Sequence, residues 1–235
     1  LYSFDAAIEN APKVGIEITD FGMEHEPECI KKYYEGCATL ADMARKAASM
    51  EGVDFLSFRM EGGDPNGANK STEELIGELK EIADAVDLPL VVCGCKNVEK
   101  DAELFSKAAE ALNGKNAVIL SAKEENYKTV GAAAGLAYKQ VVGAESAVDI
   151  NLAKQLNVLI SQLGVDSKSV VMNVGTAAVG YGFEYVISTM DRVKAAALQQ
   201  GDANLQMPII TPVASEAWGV KEAMASETDA PDNLR

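Results

Sequence analysis

Apolar residues along this chain alternate between short continuous runs and longer stretches in which they recur three or four positions apart. The short runs are typical of buried strands, and the longer stretches have the periodicity of amphipathic helices. The runs predict strands at Lys13–Thr19, Val53–Phe58, Pro89–Gly94, Ala117–Leu120, Val141–Gly143, Ser169–Asn173 and Pro208–Ile210.

The stretches between these strands predict helices. An alanine-rich helix is expected over Gly36–Met50, and Ser71 and Glu74 have the spacing of a capping box at the start of the next helix. The apolar faces of this helix and three later ones are marked by Leu75, Leu79, Ile82 and Val86; Leu104, Ala108 and Leu112; Leu152, Leu156, Leu159 and Leu163; and Val186, Met190, Val193 and Ala197.

The alternation of strand and helix predicts an α/β fold with parallel strands and right-handed crossovers. Neither GxGxxG nor GxxxxGK[ST] follows the first strand, which disfavours a nucleotide-binding open sheet. Seven similar units approach the eight of a (β/α)8 TIM barrel. We therefore expect one TIM-barrel domain over residues 1–235 with its last βα unit missing, since the chain begins without methionine and ends on the polar segment Ser226–Arg235.

Charge and hydropathy narrow the choice of partners. The net charge of −15 and the pI near 4.5 argue against nucleic acid and anionic membrane surfaces, which would repel the chain. There is no apolar run of the 18 or more residues needed to span a bilayer, and the first residues, LYSFDAAIEN, contain no basic targeting region. A cytoplasmic protein with protein or small-molecule partners is expected.

The cysteines do not suggest a disulfide framework or a metal site. Cys93 and Cys95 lie close together, but Cys29, Cys37 and the single histidine, His25, are far away in sequence. We expect the close pair to be small buried or loop-lining residues.

Nucleophilic and histidine-based chemistry is also disfavoured, because the chain has no GxSxG, no HExxH and no second histidine. Acid and base catalysis by carboxylates stays open if Glu61, Asp64, Glu124 and Asp149 converge on one mouth.

Polar residues that follow the predicted strands are the candidate site residues, because the loops after barrel strands share one face. Asp149 and Asn151 begin a helix just after the fifth strand, although Asp149 is equally suited to cap that helix. The glycine-containing loop Arg59–Lys70 follows the second strand, and its acids and amides fit either a binding site or a solvated turn.

Two further loops offer candidates. Glu124, Glu125 and Asn126 follow the fourth strand, where carboxylates also complement a helix dipole. The small-residue loop Gly175–Gly182 after Asn173 could approach a large ligand closely, but it lacks the lysine of a phosphate loop. The candidate binding residues are Glu61, Asp64, Asn69, Asn126, Asp149, Asn151, Asn173, Thr176, Gly180 and Tyr181.

Six segments stand out when they are taken together and in their order along the chain. They are EGGDPNGANKS at Glu61–Ser71, VEKD at Val98–Asp101, ENYK at Glu125–Lys128, DINLAKQLN at Asp149–Asn157, GYGFEY at Gly180–Tyr185 and EAWGVKEA at Glu216–Ala223. Their ordered combination resembles one family, the small subunit of the corrinoid iron–sulfur protein, also called the delta subunit of the acetyl-CoA decarbonylase/synthase complex. No single segment is specific, but the combination is, and the similarity extends from about Val14 to Trp218.

The resemblance implies a barrel related to pterin-binding methyltransferases. It implies a corrinoid shared with a large subunit and a [4Fe–4S] cluster on that large subunit, not on this chain. The heterodimer would carry a methyl group in the reductive acetyl-CoA (Wood–Ljungdahl) pathway. Its partners would be a methyltetrahydrofolate or pterin methyltransferase and the CO dehydrogenase/acetyl-CoA synthase. The candidate residues would then face a corrinoid without catalysing a reaction themselves. In this family a further helix and a final strand follow the region of Glu216–Ala223.

An alternative from another class stays open. The same architecture fits a free-standing methyltransferase that binds a methyl-pterin in its own barrel through Asp64, Asn126, Asn151 or Asn173. The absence of an obvious proton donor favours the carrier subunit.

Overall fold

A computed structural model describes residues 10–225 of the chain. Its strands form one sheet in which each strand pairs in parallel with the next one along the sequence, the strand order of a barrel. All seven predicted strands are confirmed, with ends that differ from the prediction by at most two residues. They are β1 Gly15–Thr19, β2 Phe55–Arg59, β3 Leu90–Cys93, β4 Val118–Ala122, β5 Val141–Glu145, β6 Val170–Asn173 and β7 Ile209–Ile210.

Helices follow the strands on the outside of the sheet. The α-helices are α1 Glu28–Tyr33, α2 Leu40–Ala48, α3 Thr72–Ala85, α4 Val98–Ala111, α5 Tyr127–Val130, α6 Ile150–Gln162, α7 Phe183–Gln199, α8 Val213–Ala217 and α9 Lys221–Met224. Short 3-10 turns lie at Glu61–Gly63, Ser167–Ser169 and Ala203–Leu205, and a π-helix at Gly131–Ala137 continues α5.

Side-chain caps fix where several helices begin. The Ser71 hydroxyl accepts from the N–H of Glu74 (3.2 Å), which is one of the two bonds of the capping box predicted for the start of α3. Asn97 caps α4 in the same way, accepting from the N–H of Lys100 (3.0 Å). These caps hold the loops that lead from the strands into the helices.

Most of the predicted apolar helix faces contribute to the larger hydrophobic core, between the sheet and the helices. Leu75 and Leu79 of α3, Leu104 of α4, Leu156 of α6 and Val193 of α7 are all buried there. The prediction for α6 was wrong in part: of Leu152, Leu156, Leu159 and Leu163 only Leu156 is buried, and the buried face is Ala153, Leu156, Asn157 and Ile160. A second, smaller cluster lies on the inner face of the sheet, made of Val91, Cys93 and Leu120 with Phe55, Val118 and Ile210 packed against it.

The inner cluster shows that the sheet is curled. Phe55 belongs to β2 and Ile210 to β7, which are five strands apart in the strand order, and both pack against the same small cluster. The sheet is therefore a curled half-barrel, which matches a TIM-like barrel in part. Within residues 10–225, β1 pairs only with β2 and β7 only with β6, so an eighth unit that closes the barrel is not confirmed.

The segments on which the expectations about the chain's ends rest, LYSFDAAIE and Ser226–Arg235, lie outside the described residues. Between them, no helix combines the length and the apolar character that crossing a bilayer requires.

Candidate functional site

The carboxyl ends of the strands surround a cavity of about 260 Å³, called the mouth below. The lining residues come from the end of β2 and from later elements, up to the segment after β7. This is the face at which complete TIM barrels bind their ligands. The residues that line the mouth are Arg59, Cys93, Gly94, Lys96, Asp101, Leu120, Ser121, Lys123, Glu145, Ala147, Asn173, Gly175, Thr176, Pro212, Ser215 and Glu216.

A buried ion pair forms the floor of the mouth. Arg59, the last residue of β2, donates from Nε and Nη2 to the two carboxylate oxygens of Glu17 on β1, at 3.0 and 2.9 Å. Both side chains are more than nine-tenths buried. The two-point geometry leaves neither charge without a partner in this low-dielectric environment, where a lone charge is costly.

The thiols of Cys93, beside this floor, and of Cys95, in the core between sheet and helices, are protonated at neutral pH. Cys93 lies 3.5 Å from the Ser57 hydroxyl and 4.0 Å from Glu17. Burial raises its pKa to about 11, although the charge of Arg59 opposes the rise. Burial likewise raises the pKa of Cys95 to about 12. Both residues are buried, as predicted, and a protonated thiol is a poor nucleophile.

Asp101 shapes the loop that follows β3. It lies in the first turn of α4, and its Oδ1 accepts from the N–H of Cys95 at 2.7 Å. Its carboxylate occupies the space where a Cβ on Gly94 would lie, so glycine is required there. Burial raises the pKa of Asp101, and the bond from Cys95 opposes that rise.

Asn173 connects the ends of three strands. Its Nδ2 donates to the Ser121 hydroxyl on β4 (2.9 Å) and lies 3.4 Å from Glu145 on β5. Its Oδ1 accepts from the N–H of Gly175 (3.0 Å), which fixes the start of the next loop. Glu145 also pairs with Lys123 at 3.4 Å. Lys123 and Glu145 also line a second, neighbouring cavity of about 200 Å³, together with Glu124, Glu125 and Ser146.

The loop between β5 and α6 has strained backbone. Ala147 and Val148 both have positive φ, 44° and 57°, a region that non-glycine residues rarely adopt. Asp149 then caps α6 by accepting from the N–H of Asn151 (2.8 Å) and of Leu152 (3.1 Å). The capping role considered for Asp149 is thus confirmed.

The structure brings two of the predicted site residues, Asn173 and Thr176, together in the mouth lining. Asn126 is buried nearby, where its amide accepts from the N–H of Lys123 (2.8 Å) and donates to the carbonyl of Val98 (3.3 Å). It therefore ties the loop after β4 to α4. Asn151 is exposed on the first turn of α6, outside the mouth lining.

The other predicted residues lie farther out. Glu61 and Asn69 are exposed in the loop after β2, and Asp64 forms a turn there by accepting from the N–H of Asn66. Gly180 and Tyr181 are exposed beyond β6, where Tyr181 Oη donates to Glu222 at 3.0 Å. The carboxylates in the mouth lining are Asp101, Glu145 and Glu216, and none of Glu61, Asp64, Glu124 and Asp149 is among them.

An exposed apolar surface adjoins the mouth. It consists of Val148, Val179, Tyr181 and Tyr185 and is called the apolar rim below. The Thr189 hydroxyl joins its two sides by lying within hydrogen-bond distance of the carbonyls of Val148 (3.2 Å) and Tyr185 (2.9 Å). Val179 is 82% and Tyr185 67% exposed, and apolar surface gathered within one stretch of the chain is a candidate interaction site.

Comparison with known proteins gives the family. A sequence model described as CO dehydrogenase/acetyl-CoA synthase delta subunit matches residues 1–229. The chain belongs to this family. The predicted resemblance is therefore confirmed at the level of the family and of its acetyl-CoA decarbonylase/synthase complex.

Three relatives illustrate the similarity, each named acetyl-CoA decarbonylase/synthase complex subunit delta. The protein from Methanothermobacter thermautotrophicus is 34% identical, over 94% of this chain and 57% of its own length. The protein from Methanopyrus kandleri is 37% identical, over 77% of this chain and 45% of its own. The protein from Archaeoglobus fulgidus is 32% identical, over 94% of this chain and 49% of its own. This chain thus spans about half the length of the relatives it matches.

Metal binding by this chain finds no support in residues 10–225. No group of three or more His, Cys, Asp and Glu side chains in that range is arranged to hold a metal ion.

Proposed function

We propose that this chain is the small subunit of a heterodimeric corrinoid iron–sulfur methyl carrier, and that its mouth covers a corrinoid held together with the large subunit. The [4Fe–4S] cluster would belong to the large subunit. Family membership supports a role in the acetyl-CoA pathway. In this proposal a methyltransferase loads the methyl group from methyl-tetrahydrofolate or a related pterin, and CO dehydrogenase/acetyl-CoA synthase receives it.

The makeup of the mouth is the observation that supports this proposal most directly. Its charged side chains are largely paired: Arg59 with Glu17, Lys123 with Glu145, and Lys96 with Glu216. Neutral hydrogen-bonding groups lie between these pairs, on Ser121, Asn173, Thr176 and Ser215. Such a surface suits a large ligand whose periphery carries neutral amides, as that of a corrinoid does.

Thr176 provides a specific test of this fit. Its hydroxyl is buried and has no hydrogen-bond partner within the described part of the chain, which is unfavourable unless a ligand or water supplies one. Thr176 lines the mouth together with Asn173. We propose that this hydroxyl and the Asn173 amide hold and orient the edge of the corrinoid.

The residues of this chain would act by binding and by excluding water. Cobalt chemistry would be supplied by the bound corrinoid. The protonated thiol of Cys93, which lines the mouth, offers no competing nucleophile there. The paired charges of the floor keep it rigid without contributing a free acid or base.

Co-expression of the chain with its large subunit tests the proposal. The expected result is a stable heterodimer with corrinoid absorbance. The proposal fails if the isolated chain transfers methyl groups from methyl-tetrahydrofolate to free cobalamin at enzymatic rates, because that result identifies a free-standing methyltransferase. It also fails if the heterodimer forms but contains no corrinoid.

A further inference from the structure

The second cavity, beside the mouth, is rich in carboxylates. Its lining residues are Lys123, Glu124, Glu125, Glu145, Ser146, Ala147 and Leu152. Three of these residues are glutamates and one is a lysine, which gives the lining a net charge of −2. Lys123 pairs with Glu145 at 3.4 Å. Glu124 and Glu125 form no ion pair within residues 10–225, so two negative charges stay available for a cationic ligand.

A buried hydroxyl in this lining lacks a hydrogen-bond partner. Ser146 is 1% exposed, and its Oγ has no partner within the described part of the chain. Both backbone groups of Ser146 are paired: its N–H donates to the carbonyl of Asn173 (2.9 Å), and its carbonyl accepts from the N–H of Asp149 (3.1 Å). The hydroxyl is therefore the one polar group of this residue that a ligand can satisfy, and leaving it unpaired is unfavourable.

The backbone that carries Ser146 is held in place by the loop after β6. Beyond the ends of β5 and β6, the bond from Ser146 to Asn173 is followed by one from the N–H of Val148 to the carbonyl of Val174 (2.7 Å). Between them the chain turns through the positive φ angles of Ala147 and Val148. Strained backbone of this kind persists where its surroundings impose it, and it is common at binding sites. The wall of the second cavity is therefore fixed before any ligand binds.

The second cavity adjoins the apolar rim. Ala147 lines the cavity, and the next residue, Val148, belongs to the rim. Glu124, Glu125 and Ala147 are exposed, so the cavity opens to the surface beside the rim. A protein that packs on the rim would have its neighbouring side chains within reach of the carboxylates. An apolar patch next to negative charge suits a partner surface on which an apolar patch lies next to a basic side chain.

We propose that the second cavity receives the charged end of a lysine or arginine side chain from a partner subunit that packs on the apolar rim. The carboxylates of Glu124 and Glu125 attract this cation, and the Ser146 hydroxyl accepts one of its N–H groups. The identity of the partner as the large subunit rests on the proposed function. The preference of the cavity for a cation does not.

Association kinetics with the large subunit, measured by surface plasmon resonance at low and high salt, test this proposal. The variant E124Q/E125Q should slow association roughly two- to tenfold at low salt and less at high salt, because exposed charges steer association and are screened. Ser146→Ala should leave association unchanged and speed dissociation roughly two- to tenfold, the factor for one lost hydrogen bond. Its melting temperature should equal that of the wild type, since the hydroxyl has no partner in the described chain. Wild-type kinetics in either variant would overturn the proposal.

Glu73 and Glu81 provide a matched control. Both are exposed on α3, and neither lines the mouth or the second cavity. The variant E73Q/E81Q changes the net charge by the same amount as E124Q/E125Q and should leave association nearly unchanged. If it slows association equally, the effect comes from the overall charge of the molecule, and the second cavity is not the binding site.

A titration with small probes separates the cavity from the proposed function. The cation n-butylammonium and the neutral N-methylacetamide would be added to the isotope-labelled full chain, and the amide NMR signals of residues 145–148 followed. The cation should shift these signals in the wild type and much less in E124Q/E125Q, while the neutral amide should have little effect. Equal responses to the two probes would contradict a cation site.

Two further outcomes of this titration are decisive. Half-saturation by n-butylammonium at micromolar concentration would identify a free amine as the occupant and overturn the partner side chain, because a single side chain detached from its protein binds weakly. If the subunits do not associate at all, the proposed function fails, and the titration alone decides whether the second cavity binds a cation.

Discussion

At the scale of single residues, the Arg59–Glu17 ion pair stabilises the floor of the mouth. Replacing Arg59 with Met leaves the Glu17 carboxylate buried without its partner. We expect this to lower the free energy of unfolding by about 3–5 kcal/mol, the usual cost of breaking a buried pair. Urea denaturation followed by circular dichroism measures the loss.

Two comparisons make this expectation specific to the buried charge. The double variant E17L/R59M removes both charges and should recover much of the stability that R59M loses. Lys13→Met breaks an exposed pair with Asp54 near the other end of the same strands and should cost far less. A Lys13→Met variant as unstable as R59M would show that the floor pair has no special role.

Asp101 gives a prediction of pH dependence. Burial raises its pKa above the ordinary value, so folding favours its protonated form. Its contribution therefore becomes more stabilising as the pH falls through the raised pKa, and less stabilising as the pH rises. Asp101→Asn removes this titration but keeps an oxygen that can accept from Cys95.

The measurement is the difference in the free energy of unfolding between pH 4, near the ordinary pKa of an aspartate, and pH 7. The gain in the free energy of unfolding from pH 7 to pH 4 should be larger for the wild type than for Asp101→Asn. Asp84→Asn, an exposed carboxylate on α3, serves as the control and should behave like the wild type. An identical pH difference in the wild type and Asp101→Asn would contradict the prediction.

At the scale of elements, the start of α6 carries a helix-capping residue, Asp149, and a proposed binding residue, Asn151. Asp149 accepts from two N–H groups of the first turn, so Asp149→Ala should lower stability by about 1 kcal/mol, as lost N-caps do. Asn151 contributes only its backbone N–H to this cap. Asn151→Leu should therefore leave the melting temperature nearly unchanged. Asn151 lies outside the mouth lining, so a lower corrinoid content of the heterodimer in this variant would show that the proposed corrinoid extends over the start of α6.

Asn113→Leu is the matched control for this pair of variants. Asn113 is exposed just after α4, in the loop before β4 and so at the opposite end of the barrel from the mouth. This variant should retain full corrinoid content. Equal content in Asn151→Leu and Asn113→Leu would reduce Asn151 to a helix-start position.

The elements followed from sequence more completely than the site did. Strands such as Pro89–Gly94 are continuous apolar runs between turn residues, and buried parallel strands require such runs. The mouth depends instead on contacts between residues far apart in sequence. Glu17 lies within an apolar strand and Arg59 ends one, and charged residues at such positions indicate a buried polar site. Their pairing could not be predicted, because it depends on the register of β1 and β2, in which Thr19 is opposite Arg59.

Other parts of the site left a weaker signal. Asp101 resembles any acidic residue in the first turn of a helix, and only the fold shows that it turns back to Gly94 and Cys95. Asn173 was predictable as the polar end of a strand. Its bonds to Ser121 and Gly175 were not, because they depend on how the curled sheet brings the ends of β4 and β6 together.

Charge and apolar surface are distributed unevenly over the whole molecule. The chain carries a net charge of −15, yet the apolar rim exposes Val179, Tyr181 and Tyr185 beside the mouth. Large exposed apolar patches usually mark interaction sites. The acidic residues Asp149, Glu184 and Glu222, which adjoin the rim in sequence or by contact, would favour a partner whose apolar surface is ringed by basic residues.

The apolar rim therefore gives a prediction for the assembled protein. Replacing Val179 and Tyr185 with Asp should weaken the heterodimer with the large subunit by more than tenfold in Kd, since central apolar contacts of an interface contribute most of its binding energy, about 2 kcal/mol or more each.

Ile187→Asp is the matched control on the same helix. Ile187 is 43% exposed and lies about 200° round the helix axis from Tyr185, so this change should leave Kd unchanged. Isothermal titration calorimetry with the separately purified subunits measures both. If V179D/Y185D binds as the wild type does, the rim does not contact the large subunit, and if Ile187→Asp weakens binding equally, the interface extends round the other side of α7.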